Sequence, residues 1–315
     1  MIKYLRKTSA GITELETRED QSWIHITPPF SADELQQLST ELDVPLDFIT
    51  DSLDMDERSR YEVEDGARLI LINTPVINER DNENEALYVT VPLGIIITED
   101  HVITVTTSEN PVIKLFLEQK VKNFDPENVP KFVLQLFQQN VLRFLLCLKK
   151  LNLQRNIIEQ ELYDSSRNHE LKELLRIEKS LVYFVNSLSS NELLKMKIKR
   201  IDFLKINQDE DLVDLFEDLI IDNSQALEMA NVYTNILGGT MEAFASLVSN
   251  NLTMVMQRLT LITIVLMVPT LVASFYGMNV VLPFDEHKYS FVGLLAFSLI
   301  ISLVVVWFFR RNKMF

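Results

Sequence analysis

One cysteine (Cys147), four histidines and seven glycines are all that 315 residues provide of three chemically useful residue types. A lone thiol makes no intrachain disulfide and no cysteine-based zinc site. His25, His101, His169 and His287 are scattered, and none has the spacing that sets two imidazoles on one helical face. So few glycines leave little material for a phosphate-cradling loop or a nucleophile elbow, and neither occurs. No catalytic constellation emerges, and the sequence does not read as an enzyme. Clustered basic charge is missing too: 45 Asp/Glu outweigh 30 Lys/Arg for a net charge of −15, which argues against nucleic acid as a partner. The first twenty residues lack the apolar run of a signal peptide, so the body is expected to be cytoplasmic.

What is present is segregated along the chain. Mean hydropathy is +0.08 although 24% of residues are charged. The first 250 residues carry 25 Lys/Arg and 43 Asp/Glu, a net of −18, and the tail from Asn251 carries five basic and two acidic residues, a net of +3. Within that tail, Leu259–Phe275 and Ser290–Phe309 contain no charge. Each is close to the ~20 residues needed to cross a bilayer core. Trp307, Phe308 and Phe309 followed by Arg310, Arg311 and Lys313 form an aromatic belt and a basic anchor. The positive-inside rule then predicts two spans of a cell membrane, both termini cytoplasmic and an outer loop between them.

The two spans differ. The second is apolar almost all round, as suits a lipid-facing helix. The first carries Thr253, Gln257, Thr260, Thr263, Met267, Thr270 and Ser274, whose spacings of 4, 3, 3, 4, 3 and 4 make one helical stripe. Such a stripe faces either a neighbouring helix or water. Two spans from one chain cannot enclose a water-filled path, so a pore here requires a ring of several copies. Pro269 removes a backbone donor within this helix and predicts a local kink.

The body reads as α+β. Ser22–Ile26, Arg68–Asn73, Ala86–Ile97 and His101–Thr106 are expected strands, and Ser31 with Glu34 has the form of a capping box before a helix. Beyond Pro130 the pattern is helical. Asp209–Ser274 reads as nearly one helix interrupted at Gly238-Gly239; at 1.5 Å per residue it would span on the order of 90–100 Å, too long for a compact domain and suited to a stalk. The expected organisation is a cytoplasmic α/β domain over 1–115 and a helical stalk region over 116–250. The end of the stalk helix and the first span follow over 251–279. An outer loop (280–289), the second span (290–309) and a basic tail (310–315) complete the chain. Asp51, Asp54, Asp56 and Glu57, and the run Glu79–Glu85, read as solvated turns with weak potential for divalent cations.

Tyr276-Gly277-Met278-Asn279, directly after the first span and followed by a short loop, a second span and a basic end, resembles the CorA metal-ion transporters. The resemblance covers essentially the whole chain. It is strongest over NNLTMVMQRLTLITIVLMVPTLVASFYGMNV and looser over WIHITPP, PLDFITDSLDMDERSRYE and PLGIIITEDHVITV. It implies a homopentameric funnel in a lipid bilayer, with the first spans lining a central pore for hydrated divalent cations. Gly277, Met278 and Asn279 would form the outer mouth. There a ring of neutral Asn279 carboxamides could bond the hydration shell of Mg²⁺, an ion reluctant to shed water. Gly277 would let the backbone turn as the helix ends, and Tyr276 would brace the loop. Met256, Leu259 and Met267 match the family's apolar constrictions, Thr260 and Thr270 would line wetter stretches, and Thr253 stands where many members carry Asn. The resemblance also implies Mg²⁺ as a regulatory ion that holds the pore closed. Asp218 is the best match for its site, with Asp222 and Glu242 on the same helix and Asp81 as a partner from the next subunit. LPFDEHK departs from the family's usual outer loop, but Asp285 and Glu286 could attract cations. The expected activity is Mg²⁺ influx down the membrane potential, closed by cytoplasmic Mg²⁺, with Co²⁺ also carried. The alternatives are transport of Co²⁺, Ni²⁺ or Zn²⁺ and a non-conducting, membrane-tethered metal sensor.

Overall fold

A computed structural model describes residues 1–8, 11–19, 21–79, 84–164, 168–278 and 289–311. The chain divides into two compact units, Met1–Gly239 and Thr240–Phe315. In the first, seven strands form one sheet: β1 (Ile2–Thr8), β2 (Gly11–Leu15), β3 (Trp23–Ile26), β4 (Arg60–Glu64), β5 (Ala67–Ile77), β6 (Tyr88–Ile97) and β7 (Val102–Thr106). Their order is β2-β1-β3-β7-β6-β5-β4. Every neighbouring pair is antiparallel except β3 with β7.

The central strands are apolar at consecutive positions because helices cover both faces of the sheet. On one face Ile24, Ile26, Leu69, Ile96, Ile103 and Val105 meet Leu38 and Leu42 of α1 (Ala32–Leu42) and Phe48 and Ile49 of α2 (Leu46–Asp51). On the other, Trp23, Ile70, Ile72, Leu93, Ile95 and Val102 meet three helices: α3 (Pro111–Leu117), α4 (Val129–Asp164) and α5 (Asn168–Arg200). Burying each such side chain is worth about 1.5–3 kcal/mol, so this double-sided packing dominates the first unit. The anticipated capping box is present at α1: Glu34 N–H donates to Ser31 Oγ, and Ser31 N–H donates to Glu34 Oε2 at 2.6 Å.

β5 runs past the end of β4, which pairs it only as far as Leu71 opposite Arg60. Asn191 of α5 covers the exposed backbone next to that point, with hydrogen bonds to both the N–H and the carbonyl of Asn73. Both polar groups of Asn73 therefore point away from β6, and its partner there is Pro92, which has no N–H to offer.

α6 (Glu210–Tyr276) is 67 residues long and helical throughout. The expected interruption at Gly238-Gly239 does not occur. Glycine costs a helix interior about 1 kcal/mol, too little to break a helix with so many neighbouring turns. A Cβ at either glycine would meet nothing within 4 Å, so no close approach within the chain explains them. The first turns of α6 carry Phe216 and Leu219 into the core of the first unit. The second unit contains the rest of α6 and α7 (Ser290–Arg311).

Candidate functional site

In the second unit, the half of α6 after Gln257 lies against α7 along a narrow seam. On α6 the covered residues are Leu261, which is buried, and Val265, Val268, Val272 and Tyr276, which are half-buried. On α7 the matching face has Ser298 and Ser302, both buried, with Leu294, Ile301, Val305 and Phe309 half-buried. The small serines let the helices approach, and Ser302 Oγ donates to Ser298 O at 3.0 Å with Val265 O of α6 at 3.5 Å. The second span is therefore not uniformly apolar in role. Its Ser298–Ser302 pair, one turn apart, was the signal in the sequence for a packing face.

The polar stripe lies elsewhere on α6. Thr253, Thr260, Thr263, Thr270 and Ser274 are all exposed, as are Met256, Leu259 and Met267. At 100° per residue the stripe is centred about 150° around the helix from the α7 seam. One chain thus buries the seam and leaves the stripe open. Four threonines on it share one geometry, in which the hydroxyl donates to the carbonyl four residues earlier. Thr253 bonds Ser249 O at 2.9 Å, Thr260 bonds Met256 O at 2.8 Å, Thr263 bonds Leu259 O at 2.8 Å and Thr270 bonds Leu266 O at 3.0 Å. This satisfies the only donor of each hydroxyl without a partner helix. α6 also remains helical through Pro269.

At the far end, Gly277 N–H still donates to Ala273 O at 2.9 Å, and Met278 N–H reaches Phe275 O at 3.4 Å. Gly277 is the first residue past α6 and lies in a turn, without a positive φ. A Cβ there would sit 3.3 Å from Ala273 O, and the missing side chain relieves that contact while the helix winds down. Tyr276 is half-buried on the seam side, and Met278 is exposed. Asn279 and the loop acids Asp285 and Glu286 lie outside the described residues, as does Asp81.

Asp218 is exposed on α6, Asp222 is half-buried one turn on, and Glu242 is exposed in the second unit. Among the described residues no three His, Cys, Asp or Glu side chains converge on a point that could hold a metal ion. In the acidic run that begins at the end of α2, Asp54 and Asp56 are exposed in a turn, whereas Asp51 and Glu57 are half-buried. Arg60 of β4 binds Asp51 at 2.6 Å, Glu57 at 2.7 Å and Glu62 at 3.1 Å, so the guanidinium already neutralises these carboxylates. Partial burial works against the Arg60 charge, but the hydrogen bonds it donates to Asp51 and Glu62 and the nearby Glu57 charge outweigh it and raise its pKa.

Two buried titratable groups in the first unit were not singled out by the sequence. His25 on β3 is held between Thr104 Oγ1 (3.0 Å) and Thr27 Oγ1 (2.9 Å), and burial lowers its pKa to about 4. Lys195 on α5 is fully buried, with Nζ donating to Asn223 Oδ1 of α6 at 2.7 Å and lying 5.7 Å from the centre of the Phe137 ring. Burial lowers its pKa to about 7, against the opposing pull of Glu192 and Asp222.

Comparison with known proteins places these features in a family context. A family model described as "CorA-like Mg2+ transporter protein" matches residues 18–311. The cobalt/magnesium transport protein CorA of Methanocaldococcus jannaschii is 26% identical over 295 residues, covering 92% of this chain and 90% of that protein. Its namesake from Thermotoga maritima is 20% identical over 297 residues, covering 93% and 83%. The complete structure of the M. jannaschii CorA magnesium transporter superposes with a TM-score of 0.81 at 24% identity, over 99% of this chain and 98% of that one, and so shares its fold.

Proposed function

Because the chain belongs to the CorA-like Mg²⁺ transporter family, and so is a membrane transporter of divalent cations rather than an enzyme, we propose that it carries Mg²⁺ into the cell through a ring of copies. The observation that carries this reading is the exposed stripe from Thr253 to Ser274, set about 150° from the one face of α6 that α7 covers. A hydrophilic track that its own chain leaves open is completed by the same track on other copies, and the family resemblance implies five. Apolar rings at Met256, Leu259 and Met267 would alternate with the threonines and gate the path by expelling water. Gly277, Met278 and Asn279 form the outer mouth, braced by Tyr276, and neutral carboxamides there hold the shell of a hydrated ion without competing with its water. Asp285 and Glu286 draw cations toward that mouth. The inside-negative potential drives a divalent ion inward with about 4.6 kcal/mol per 100 mV. Both termini are cytoplasmic, as the basic end at Arg310 and Arg311 favours.

Cytoplasmic Mg²⁺ closes the pore by bridging acids of neighbouring copies, with Asp218 and Asp222 on one and Asp81 on the next. The test of the central reading is Mg²⁺ uptake into proteoliposomes by the wild type and by Asn279→Ala. Uptake that the substitution abolishes supports a conducting pore. Uptake indifferent to it favours a tethered sensor or another route. Parallel assays with Co²⁺, Ni²⁺ and Zn²⁺ rank the cargo, and Zn²⁺ uptake without Mg²⁺ uptake would overturn the choice of ion. Asp218→Ala should weaken inhibition by internal Mg²⁺; unchanged inhibition removes that residue from the regulatory site.

A further inference from the structure

One end of the helical hairpin in the second unit carries cations alone. Arg258 is the only charged residue between Glu242 and Asp285, and Arg310 and Arg311 close α7. Glu242 stands sixteen residues before Arg258, about 24 Å away along α6. Asp285 and Glu286 belong to the loop at the opposite end of both helices. Along the sequence, then, no acid of this unit adjoins the three guanidinium groups.

These groups come together from two helices. Ser302 Oγ lies 3.5 Å from Val265 O, and the two helices run antiparallel. Seven residues on along α7 and seven back along α6 therefore bring Phe309 level with Arg258. Arg258 also continues the seam series, three residues before the buried Leu261 and seven before Val265. It emerges between the helices on the rung where α7 ends, with Arg310 and Arg311 beside it. All three are exposed. Arg311 lies over Trp307, with Cζ 5.3 Å from the ring centre, and Trp307 is exposed as well.

A guanidinium presents a planar fork of N–H donors that matches phosphate oxygens, and an indole settles at the depth of lipid headgroups. A basic recess between membrane helices is the complement of a headgroup with net negative charge. We propose that Arg258, Arg310, Arg311 and Trp307 form a binding site for the headgroup of an anionic phospholipid, seated where α6 and α7 part. This rests on the reading of α6 and α7 as membrane spans and adds the lipid that the hairpin selects. A zwitterionic headgroup fits less well, because its ammonium brings a further positive charge to the three already there. The bound lipid ties the two helices together at the end where their seam runs out.

The test uses the full chain in proteoliposomes and reads Trp307 fluorescence. The protein has two tryptophans, and Trp23 is buried in the first unit, so quenching by lipids brominated on their acyl chains reports Trp307. The bilayers mix plain phosphatidylcholine with brominated phosphatidylglycerol or with brominated phosphatidylcholine of the same chains. The ratio of the two quenching curves is compared, so that a change in Trp307 brightness cancels. The wild type should prefer phosphatidylglycerol by about fivefold or more, the factor that even one basic residue contributes near an anionic headgroup. Raising sodium chloride from about 0.05 M to about 0.5 M should at least halve this preference. Arg258→Gln with Arg311→Gln should bring it below about twofold. The corresponding lysine pair keeps the charge and should retain at least about half of it. Crosslinking compares the assembly of every variant with the wild type, and Arg258→Gln alone is read in the same way if the double variant misassembles.

Equal quenching of the wild type by the two brominated lipids overturns the proposal and leaves the spans standing. So does a glutamine pair with the wild-type preference, a lysine pair as indifferent as the glutamine pair, or a preference that salt leaves unchanged. Quenching by neither lipid removes the spans and this proposal together.

Discussion

Asn191 grips Asn73 at both ends of its peptide polarity: Oδ1 accepts from the Asn73 N–H at 3.0 Å, and Nδ2 donates to the Asn73 carbonyl at 3.0 Å. The same Oδ1 accepts from Ser59 Oγ at 2.7 Å, and Asn140 of α4 adds a second donor to the Asn73 carbonyl. One side chain does what a neighbouring strand would do, and it fastens α5 to the sheet. Asn191→Ala would leave the Asn73 N–H buried without a partner. A loss of about 3 kcal/mol is expected, read as a lowered thermal midpoint of the purified chain. Asn191→Asp should be nearly as damaging, because it removes the donor and buries a charge. Retention of the wild-type midpoint in both variants would contradict this account.

Acid should loosen the first unit through His25. Burial lowers its pKa to about 4, only partly opposed by a hydrogen bond with Thr104 and reinforced weakly by the Lys3 charge. Its ordinary value is about 6.5, so between these two pH values the unfolded chain binds more protons than the folded one. Stability is therefore lost as pH falls from about 6.5 to about 4, by on the order of 3 kcal/mol in total. His25→Gln, which keeps hydrogen-bonding capacity without this titration, should flatten the midpoint-versus-pH curve in that window.

Lys195 gives a slope in the other range. Its pKa of about 7 when folded lies below the ordinary value near 10.4. Between the two, the unfolded chain again holds the extra proton, so stability rises with pH from about 7 to about 10.4. Below pH 7 the cost of a buried ammonium is paid in full and the contribution is flat. Lys195→Met should abolish this slope relative to the wild type. A variant with the same slope as its parent would mean that other groups cause it.

Arg60 offers a test of charge balance. Its guanidinium pairs with Asp51, Glu57 and Glu62, so Arg60→Ala would leave three nearby carboxylates without a counter-charge. The variant should have a lower thermal midpoint than the wild type, and the gap should narrow as salt screens the remaining charges. Equal midpoints at low salt would count against this account.

The features that the sequence disclosed are those with strong one-dimensional patterns. β5, β6 and β7 are visible as apolar runs because both of their faces are buried. β1, β2 and β4 are half-exposed strands: GITEL does not alternate, and RYEVE alternates over only five residues, too few to stand out. α2 and α3 are six and seven residues long, too short for a helical period to repeat. The threonine stripe stands out because polar groups are rare among Leu, Ile and Val, whereas Ser298 and Ser302 are diluted in a longer apolar run. The grip of Arg60 was hidden because it joins a helix end to a strand nine residues later. Glycines at 238 and 239 suggested a break, but local propensity yields to the many turns on either side.

The narrow seam between α6 and α7 has a further consequence for a ring of copies. If the stripes face the axis, every α7 must stand on the outside. The membrane part is then two concentric walls with divided duties: the inner wall meets the ion and the outer wall meets the lipid. Substitutions on the lipid side of α7, at Phe291 or Leu303 for example, would tune how the protein suits its bilayer and leave ion choice to the wall within.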